Sequence, residues 1–519
     1  MDFLRGCSVL VLGLGASGLA MARWCARHGA QVQVWDSRAE PPQAAALRAE
    51  LPQLRLFSGE LGSALPEGVK LVLKSPGLAP HDARIAPLLA SARASGIAVM
   101  AELDLFMRAL ADLKARTAAE AAPAPGYAPQ LLAITGTNGK TTTTALTALL
   151  LERAGRRVAV AGNIMPTLLE RLAQMLDTPR AEWPEVWVLE LSSFQLADAQ
   201  GFEPSAGVVL NLTQDHLDWH GDMAAYAAAK VRVFGAGATM VVNRDDAAVE
   251  AMVPAPLPPK GARGKPSPAQ RQVLRFGLTA PQRPGDFGLV VENGMAWLVR
   301  ARPSDEPLPR KRGDEAPEIH LQRLMPAEAL RLRGRHNAAN ALAALALAGA
   351  AGGALAPMLH GLREYGGEPH RVQWLGQVGG VAVYDDSKGT NVGASVAALE
   401  GLAADHAPGR LAVILGGQGK GQDFAPLAAP LARHARAVAL IGEDAEAIAA
   451  AVVNCGVPIA RHATLPEAVA WCFAQARAGD AVLLSPACAS LDMFRDYAQR
   501  AEVFAQAVRG IAAERGESL

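Results

Sequence analysis

The chain has 519 residues, half of them hydrophobic and 19% charged, a balance that can bury large cores and excludes an intrinsically disordered protein. Lysine plus arginine equals aspartate plus glutamate at 50 each, so there is no overall basic field to attract nucleic acid or an anionic membrane, and a small-molecule substrate fits better. The length exceeds what one hydrophobic core holds and predicts three domains.

In chain order, Cys7 to Leu12 reads as a short apolar strand, followed by Gly13-Leu14-Gly15-Ala16-Ser17-Gly18 and an alanine-rich helix to about His28. A second strand, Gln31 to Trp35, ends at Asp36, and Leu71 to Leu73 before Ser75-Pro76-Gly77 reads as a later strand of the same sheet. This Rossmann-like first domain is placed at residues 1–114. The Ala- and Pro-rich stretch at 115–130 reads as a linker. A central domain, 131–367, then carries strands at Leu131–Ile134, Val186–Leu189, Val208–Leu210 and Met240–Val242 alternating with helical patterns, which predicts a mostly parallel sheet of the P-loop type. Pro254–Pro284 and Arg302–Pro317 are rich in Pro, Arg and Gly and read as surface insertions. After Tyr365-Gly366-Gly367 a third, Rossmann-like α/β domain, 368–519, shows strands at Val381–Tyr384, Leu411–Leu415, Ala437–Ile441 and Ala481–Leu484.

The five cysteines, Cys7, Cys25, Cys455, Cys472 and Cys488, are scattered without CxxC spacing, which argues against a disulfide framework and a zinc site. The N-terminus shows no signal-peptide pattern, and no charge-free stretch reaches roughly 18 to 20 residues, so a cytoplasmic protein without membrane insertion is expected.

The strongest chemical signal is Gly136-Thr137-Asn138-Gly139-Lys140-Thr141-Thr142 between a strand and a helix. Its glycines let backbone N–H groups turn toward phosphate oxygens, the helix N-terminus adds positive potential, Lys140 supplies charge and Thr141 a hydroxyl for Mg²⁺. Ile134 stands where the full Walker A pattern has its first glycine. Gly13, Gly15 and Gly18 satisfy GxGxxG, with Asp36 where a ribose-binding acid would sit; alone, this suits a dinucleotide, another diphosphate-bearing nucleotide or an ordinary tight helix–strand turn. Glu190, ending an apolar strand beside the phosphate loop, suits Mg²⁺. A lone His216 or Lys230 would carry no assignment.

Taken together, GTNGKTT, ELSSFQL, NLTQDHLDWH, the Tyr226–Lys230 segment, GRHNAANALAAL, EPHRVQ, DDSKGTNVGAS, LGGQGKGQDF and SPACASLDMF resemble the Mur ligase family, and its D-glutamate-adding branch in particular. The matches run in one order through all three domains and leave out little besides the Pro-rich stretches.

The resemblance implies a cytoplasmic, monomeric, ATP-dependent enzyme of peptidoglycan synthesis that adds D-glutamate to UDP-N-acetylmuramoyl-L-alanine through an acyl phosphate. It implies a UDP-substrate site at Gly15, Ser17, Asp36, Ser37, Ser75 and Gly77, with Asn163 near the reacting carboxylate. ATP is expected at Gly136, Thr137, Asn138, Gly139, Lys140, Thr141 and Thr142, beside Asn337 and Asn340, with Arg371 and Asp386 reaching over it. One Mg²⁺ is expected at Thr141 and Glu190, and a second at His216 and a carbamylated Lys230. D-Glutamate is expected at Lys388, Thr390, Lys420, Ser490, Leu491 and Tyr497, the last standing where the family pattern has phenylalanine. Two alternatives remain at this stage: another amide ligase of the superfamily, and a slow ATP-switched binding protein.

Overall fold

The computed structural model describes residues 2–120, 126–255, 271–304, 318–332 and 334–518. The first sheet comprises β1 (Ser8–Leu12), β2 (Gln31–Asp36), β3 (Arg55–Ser58), β4 (Leu71–Lys74) and β5 (Ala98–Met100) in the order β3-β2-β1-β4-β5, all parallel. Strand order reverses beside β1, between β2 and β4. The crevice at the C-terminal ends of β1 and β4 is where open α/β sheets admit ligands, and it receives both the Gly13–Gly18 turn and Ser75-Pro76-Gly77.

The central sheet contains β6 (Gln130–Thr135), β7 (Val158–Gly162), β8 (Val186–Glu190), β9 (Ala206–Val209), β10 (Thr239–Asn243) and β11 (Val273–Phe276), ordered β11-β10-β9-β6-β8-β7 and again all parallel. Helices cover both faces, which is why β8 reads as the unbroken apolar run Val-Trp-Val-Leu with every residue buried. The chain then adds an antiparallel sheet of β12 (Phe287–Glu292), β13 (Met295–Pro303) and β14 (Ile319–Pro326). The last sheet holds β15 (Gln373–Val378), β16 (Val381–Asp385), β17 (Leu411–Gly416), β18 (Ala435–Ile441), β19 (Ile459–Arg461) and β20 (Ala481–Leu484) in the order β15-β16-β20-β17-β18-β19. Only β15 in it is antiparallel to its neighbour.

Two readings of the sequence change. Pro254–Pro284 is not wholly a surface insertion, because β11 lies within it and extends the central parallel sheet beside β10; residues 256–270 of that stretch fall outside the described residues. Of Arg302–Pro317, the first two residues end β13, and 305–317 fall outside the described residues. The expected linker at 115–130 begins as helix, since Glu102–Glu120 is one helix whose alanines favour that state, and Gln130 already belongs to β6.

That helix explains how the first two domains are joined. Leu103, Phe106 and Ala109 share one core with Leu168, Leu172 and Trp187 of the central domain, and Phe106 meets Trp187 edge-on at 5.0 Å between ring centroids. The third domain's two cores draw their buried residues from Val378 to Ala512 alone. Among the described residues no helix is long and apolar enough to cross a membrane.

Candidate functional site

At the first switch point, Asp36 ends β2 and its carboxylate turns back to accept from the Leu14 N–H at 2.7 Å. Arg38 closes on the same carboxylate with its backbone N–H and Nε, both at 2.9 Å, and with Nη2 at 2.8 Å. Burial pushes the Asp36 pKa up, but Arg38 and the two backbone donors outweigh it and hold the group at about 2. Ser75 Oγ donates to the Gly13 carbonyl at 2.9 Å, tying the two loops together. Arg84 Nη1 donates to Ser37 Oγ at 2.9 Å. The result is a cavity of about 490 Å³ in whose wall Gly15, Ser17, Asp36, Ser37, Ser75 and Gly77 all stand. Gly13 is required here in the left-handed region, φ +87°, with Ser75 Cβ 3.0 Å from where a Cβ would sit.

At the C-terminal end of β6 the Gly136–Thr142 loop leads into helix Lys140–Arg153. Lys140 Nζ is folded onto the loop, donating to the Gly136 and Thr137 carbonyls at 2.9 and 2.8 Å. Thr137 Oγ1 donates to the Thr213 carbonyl, and Asn138 exchanges hydrogen bonds with Asn211 at 2.8 and 3.1 Å. Gly139 has φ +83°, and Asn340 Oδ1 lies 2.5 Å from the place of its missing Cβ, so a side chain is excluded there. Asn340 in turn donates to Asn337, both buried on helix Arg335–Ala350.

Glu190 ends the neighbouring strand β8. Its Oε1 accepts from Asn163 Nδ2 at 3.0 Å, while Oε2 is buried without a hydrogen-bond partner. A buried carboxylate oxygen with nothing to accept, within electrostatic reach of Lys140, fits a hard cation that takes oxygen ligands. No group of three or more His, Cys, Asp or Glu side chains is gathered among the described residues. Lys230 is 1% exposed, donates to the Gly136 carbonyl at 2.9 Å, and has its pKa driven well down, first by burial and then by Lys140. That shift favours the neutral amine, whose nitrogen lone pair is nucleophilic. His216, in the left-handed region at φ 55°, lies 3.5 Å from Asp215; burial lowers its pKa and Lys420, Lys140 and Lys230 add to the effect.

The third domain closes over this loop. Arg371 Nη2 donates to Thr141 Oγ1 at 2.7 Å, and Asn138 and Asn391 exchange side-chain bonds at 3.1 and 2.9 Å. Between them lies a cavity of about 250 Å³ lined by residues of both domains, including Gly139, Thr142, Asn337, Asn340, Arg371 and Asp386. Asp386 accepts from Ser485 Oγ at 2.7 Å and from the Val372 N–H at 3.2 Å, and burial raises its pKa to about 7. Lys388 lies over the Tyr497 ring at 5.3 Å, and Thr390 N–H bonds the Lys388 carbonyl. Ser490 is buried, Leu491 is 64% exposed, and Lys420 is an exposed residue at φ 54° whose charge reaches His216 across the domain boundary.

Sequence reasoning missed two buried groups. His336 lines the same cavity, and burial pushes its pKa down to about 4, so it is neutral. Arg500, fully buried, donates to the Cys488 and Ser387 carbonyls and so holds together the loops after β16 and β20. His336 stood inside the quoted GRHN segment; Arg500 carried no signal beyond its place in a helix.

Comparison with known proteins agrees with this arrangement. The chain matches the Mur ligase MurD-like N-terminal domain over residues 7–101, the Mur ligase middle domain over 134–257 and the Mur ligase glutamate ligase domain over 370–488. It is 58% identical over 99% of its length to a UDP-N-acetylmuramoylalanine-D-glutamate ligase of Albidiferax ferrireducens, 98% of which is covered. It is 56% identical over 98% of its length to the protein of that name from Burkholderia pseudomallei, again 98% covered. Among solved structures, the UDP-N-acetylmuramate-alanine ligase MurC of Thermotoga maritima shares the fold with a TM-score of 0.55 at 19% identity, over 97% of this chain and 99% of that one. A pseudomurein peptide ligase type C from Methanothermus fervidus does so with a TM-score of 0.52 at 17% identity, over 98% and 99%. With three domain matches in order and relatives at this identity along their full length, the chain belongs to the Mur ligase family.

Proposed function

We propose that the chain is an ATP-dependent ligase that joins D-glutamate to UDP-N-acetylmuramoyl-L-alanine in cytoplasmic peptidoglycan precursor synthesis. The observation that carries it is the cavity shared by the Gly136–Thr142 loop and the Arg371, Asp386 and Lys388 side of the third domain, with a separate pocket at the switch point of the first. Relatives of that name at 51–58% identity over nearly the whole chain support the choice of substrates.

A carboxylate cannot expel oxide, so the L-alanyl carboxylate first attacks the γ-phosphorus of ATP, ADP departs, and an acyl phosphate forms. Lys140 neutralises charge gathering on the transferred group, and the backbone N–H groups of Gly136–Thr142 hold the phosphates. Thr141 and Glu190 would hold Mg²⁺, which when bound supplies charge stabilisation for this transfer. Asn163, bonded to Glu190, orients the reacting carboxylate. The D-glutamate amine then attacks the acyl carbon, losing a proton, and phosphate leaves. Lys388, Thr390, Lys420, Ser490 and the Tyr497 ring face the amino acid, whose two carboxylates need fixed cationic partners. Lys230 reacts with CO₂ and releases a proton to give a carbamate, whose oxygens with His216 suit a second Mg²⁺; burial, which favours the neutral amine, supports this. Closure of the third domain keeps water from the acyl phosphate.

Phosphate release measured with ATP, a series of UDP-muramoyl precursors and a series of D- and L-amino acids tests the reading. Turnover is expected only with the L-alanyl precursor and D-glutamate together. Preference for another pair, or ATP hydrolysis indifferent to both acceptors, overturns it.

A further inference from the structure

Lys74 ends β4, one residue before the Ser75-Pro76-Gly77 loop, and is only 3% exposed. Its side chain does not enter the UDP pocket. It crosses out of the first domain, and Nζ stops 2.6 Å from Asp198 Oδ2 at the end of the central domain's helix Ser193–Asp198. At that distance the two form a close ion pair. Nζ also donates to the Leu78 carbonyl at 2.5 Å, across the pocket loop it precedes, and it lies 5.7 Å from the ring of Trp219. Trp219 belongs to helix Leu217–His220, whose N-cap is His216. One ammonium therefore touches the wall of the first pocket, the helix that begins with Ser193-Phe194-Gln195, and the turn that presents His216.

The largest support for each charge is the other member of the pair, with Arg232 adding a smaller one for Asp198. Burial pushes Lys74 down and Asp198 up, to about 6, and each holds the other ionised against that pressure. Asp104, the nearest further acid, is already committed to the Ala101 and Gln200 N–H groups. Arg232 is committed to the Leu196, Ala197 and Ala199 carbonyls beside Asp198. An apolar pair would fill this boundary at less desolvation cost, so the retained charges are better explained by the fixed direction they impose.

We propose that Lys74 is a positioning residue for the UDP-bearing substrate: through Asp198 and the Leu78 carbonyl it sets the loop 75–78 in register with the central domain, so that a substrate anchored in the first pocket presents its far end to the phosphate loop. This inference rests on the functional reading above.

The test uses Lys74→Met, Asp198→Leu and the double variant in the full chain. Single variants leave one buried charge alone and lose stability; the double variant removes both and is expected to melt near the wild type. In the double variant the KM for UDP-N-acetylmuramoyl-L-alanine is expected to rise about tenfold and kcat to fall several-fold, with the KM for ATP within about twofold of wild type. A well-folded double variant with wild-type constants for the UDP substrate overturns the inference, as does an equal loss toward ATP. A wild type inactive with that substrate overturns the functional reading instead; the pair is then read from calorimetric titration with UDP, where about tenfold weaker binding in the double variant upholds the inference and unchanged affinity overturns it.

Discussion

The two boundaries of the central domain differ in make-up: the first is mainly apolar with the Lys74–Asp198 pair set in it, the second is polar. Against the first domain it packs Phe106 on Trp187 and shares a continuous apolar core. Against the third it offers polar contacts, Arg371 to Thr141 and Asn138 to Asn391, around an open cleft. Apolar boundaries hold domains in one relation, whereas small polar ones permit relative motion. On the proposed reading, the UDP-bearing substrate would be held on the fixed side and the amino acid on the movable side. Substitutions in the polar cleft should change turnover with little effect on stability, and substitutions in the apolar boundary should do the reverse.

The largest effect is expected from Lys230→Ala, with turnover falling about 1,000-fold or more, equivalent to roughly 4 kcal/mol, while the melting temperature does not fall. High bicarbonate should not restore it, whereas a small carboxylic acid that fills the gap should restore part. Full activity removes Lys230 from the site. On the other boundary, Phe106→Ala should cost about 3–5 kcal/mol in urea unfolding, with the first two domains losing structure together. Separate transitions with an unchanged central domain would show that the shared core does not couple them.

Thr141→Ala and Glu190→Gln should each slow phosphoryl transfer by about two orders of magnitude, roughly 3 kcal/mol of transition-state stabilisation. Rapid-quench detection of the acyl phosphate checks this, and normal acyl-phosphate formation with slow amide formation contradicts it. Lys420→Ala should raise the KM for D-glutamate about tenfold and leave the constants for ATP and the UDP substrate nearly unchanged. Varying each substrate in turn separates these outcomes.

The smallest effect belongs to Asp36. Its folded pKa lies below the ordinary value, so its stabilisation is present above about pH 3.8 and is lost as pH falls through about 2. Because Arg38 is 54% exposed and water screens the pair, the contribution is about 1 kcal/mol, less than the shift alone implies. Urea midpoints of Asp36→Asn and wild type should differ at pH 5 and converge toward pH 2.

The parts of this molecule most legible in the sequence are those where one local rule decides. Buried parallel strands such as Val186–Glu190 are unbroken apolar runs, and the Gly136–Thr142 loop needs glycine and lysine at fixed spacing. β11 was hidden because its four residues, Val-Leu-Arg-Phe, follow a Pro-rich stretch and are only half-buried at an edge. The antiparallel β12–β14 sheet escaped for a similar reason, since the second atypical stretch separates β14 from β12 and β13. Within the cleft, residue types were readable but partners were not. Nothing near Thr141 announces Arg371, and nothing near Lys74 announces Asp198, because those contacts are made by chain folding over long separations.

The reciprocal amide bonds of Asn138 and Asn391 join positions 253 residues apart. Each amide supplies what the other lacks, so replacing Asn391 leaves both polar groups of the Asn138 amide without that partner at a domain boundary. Grafting a foreign third domain onto this chain to recruit a different amino acid would therefore have to import an asparagine at that point and an arginine in place of Arg371. A graft chosen for its amino-acid pocket alone would dock against a phosphate loop it could not read, and specificity would be gained without turnover.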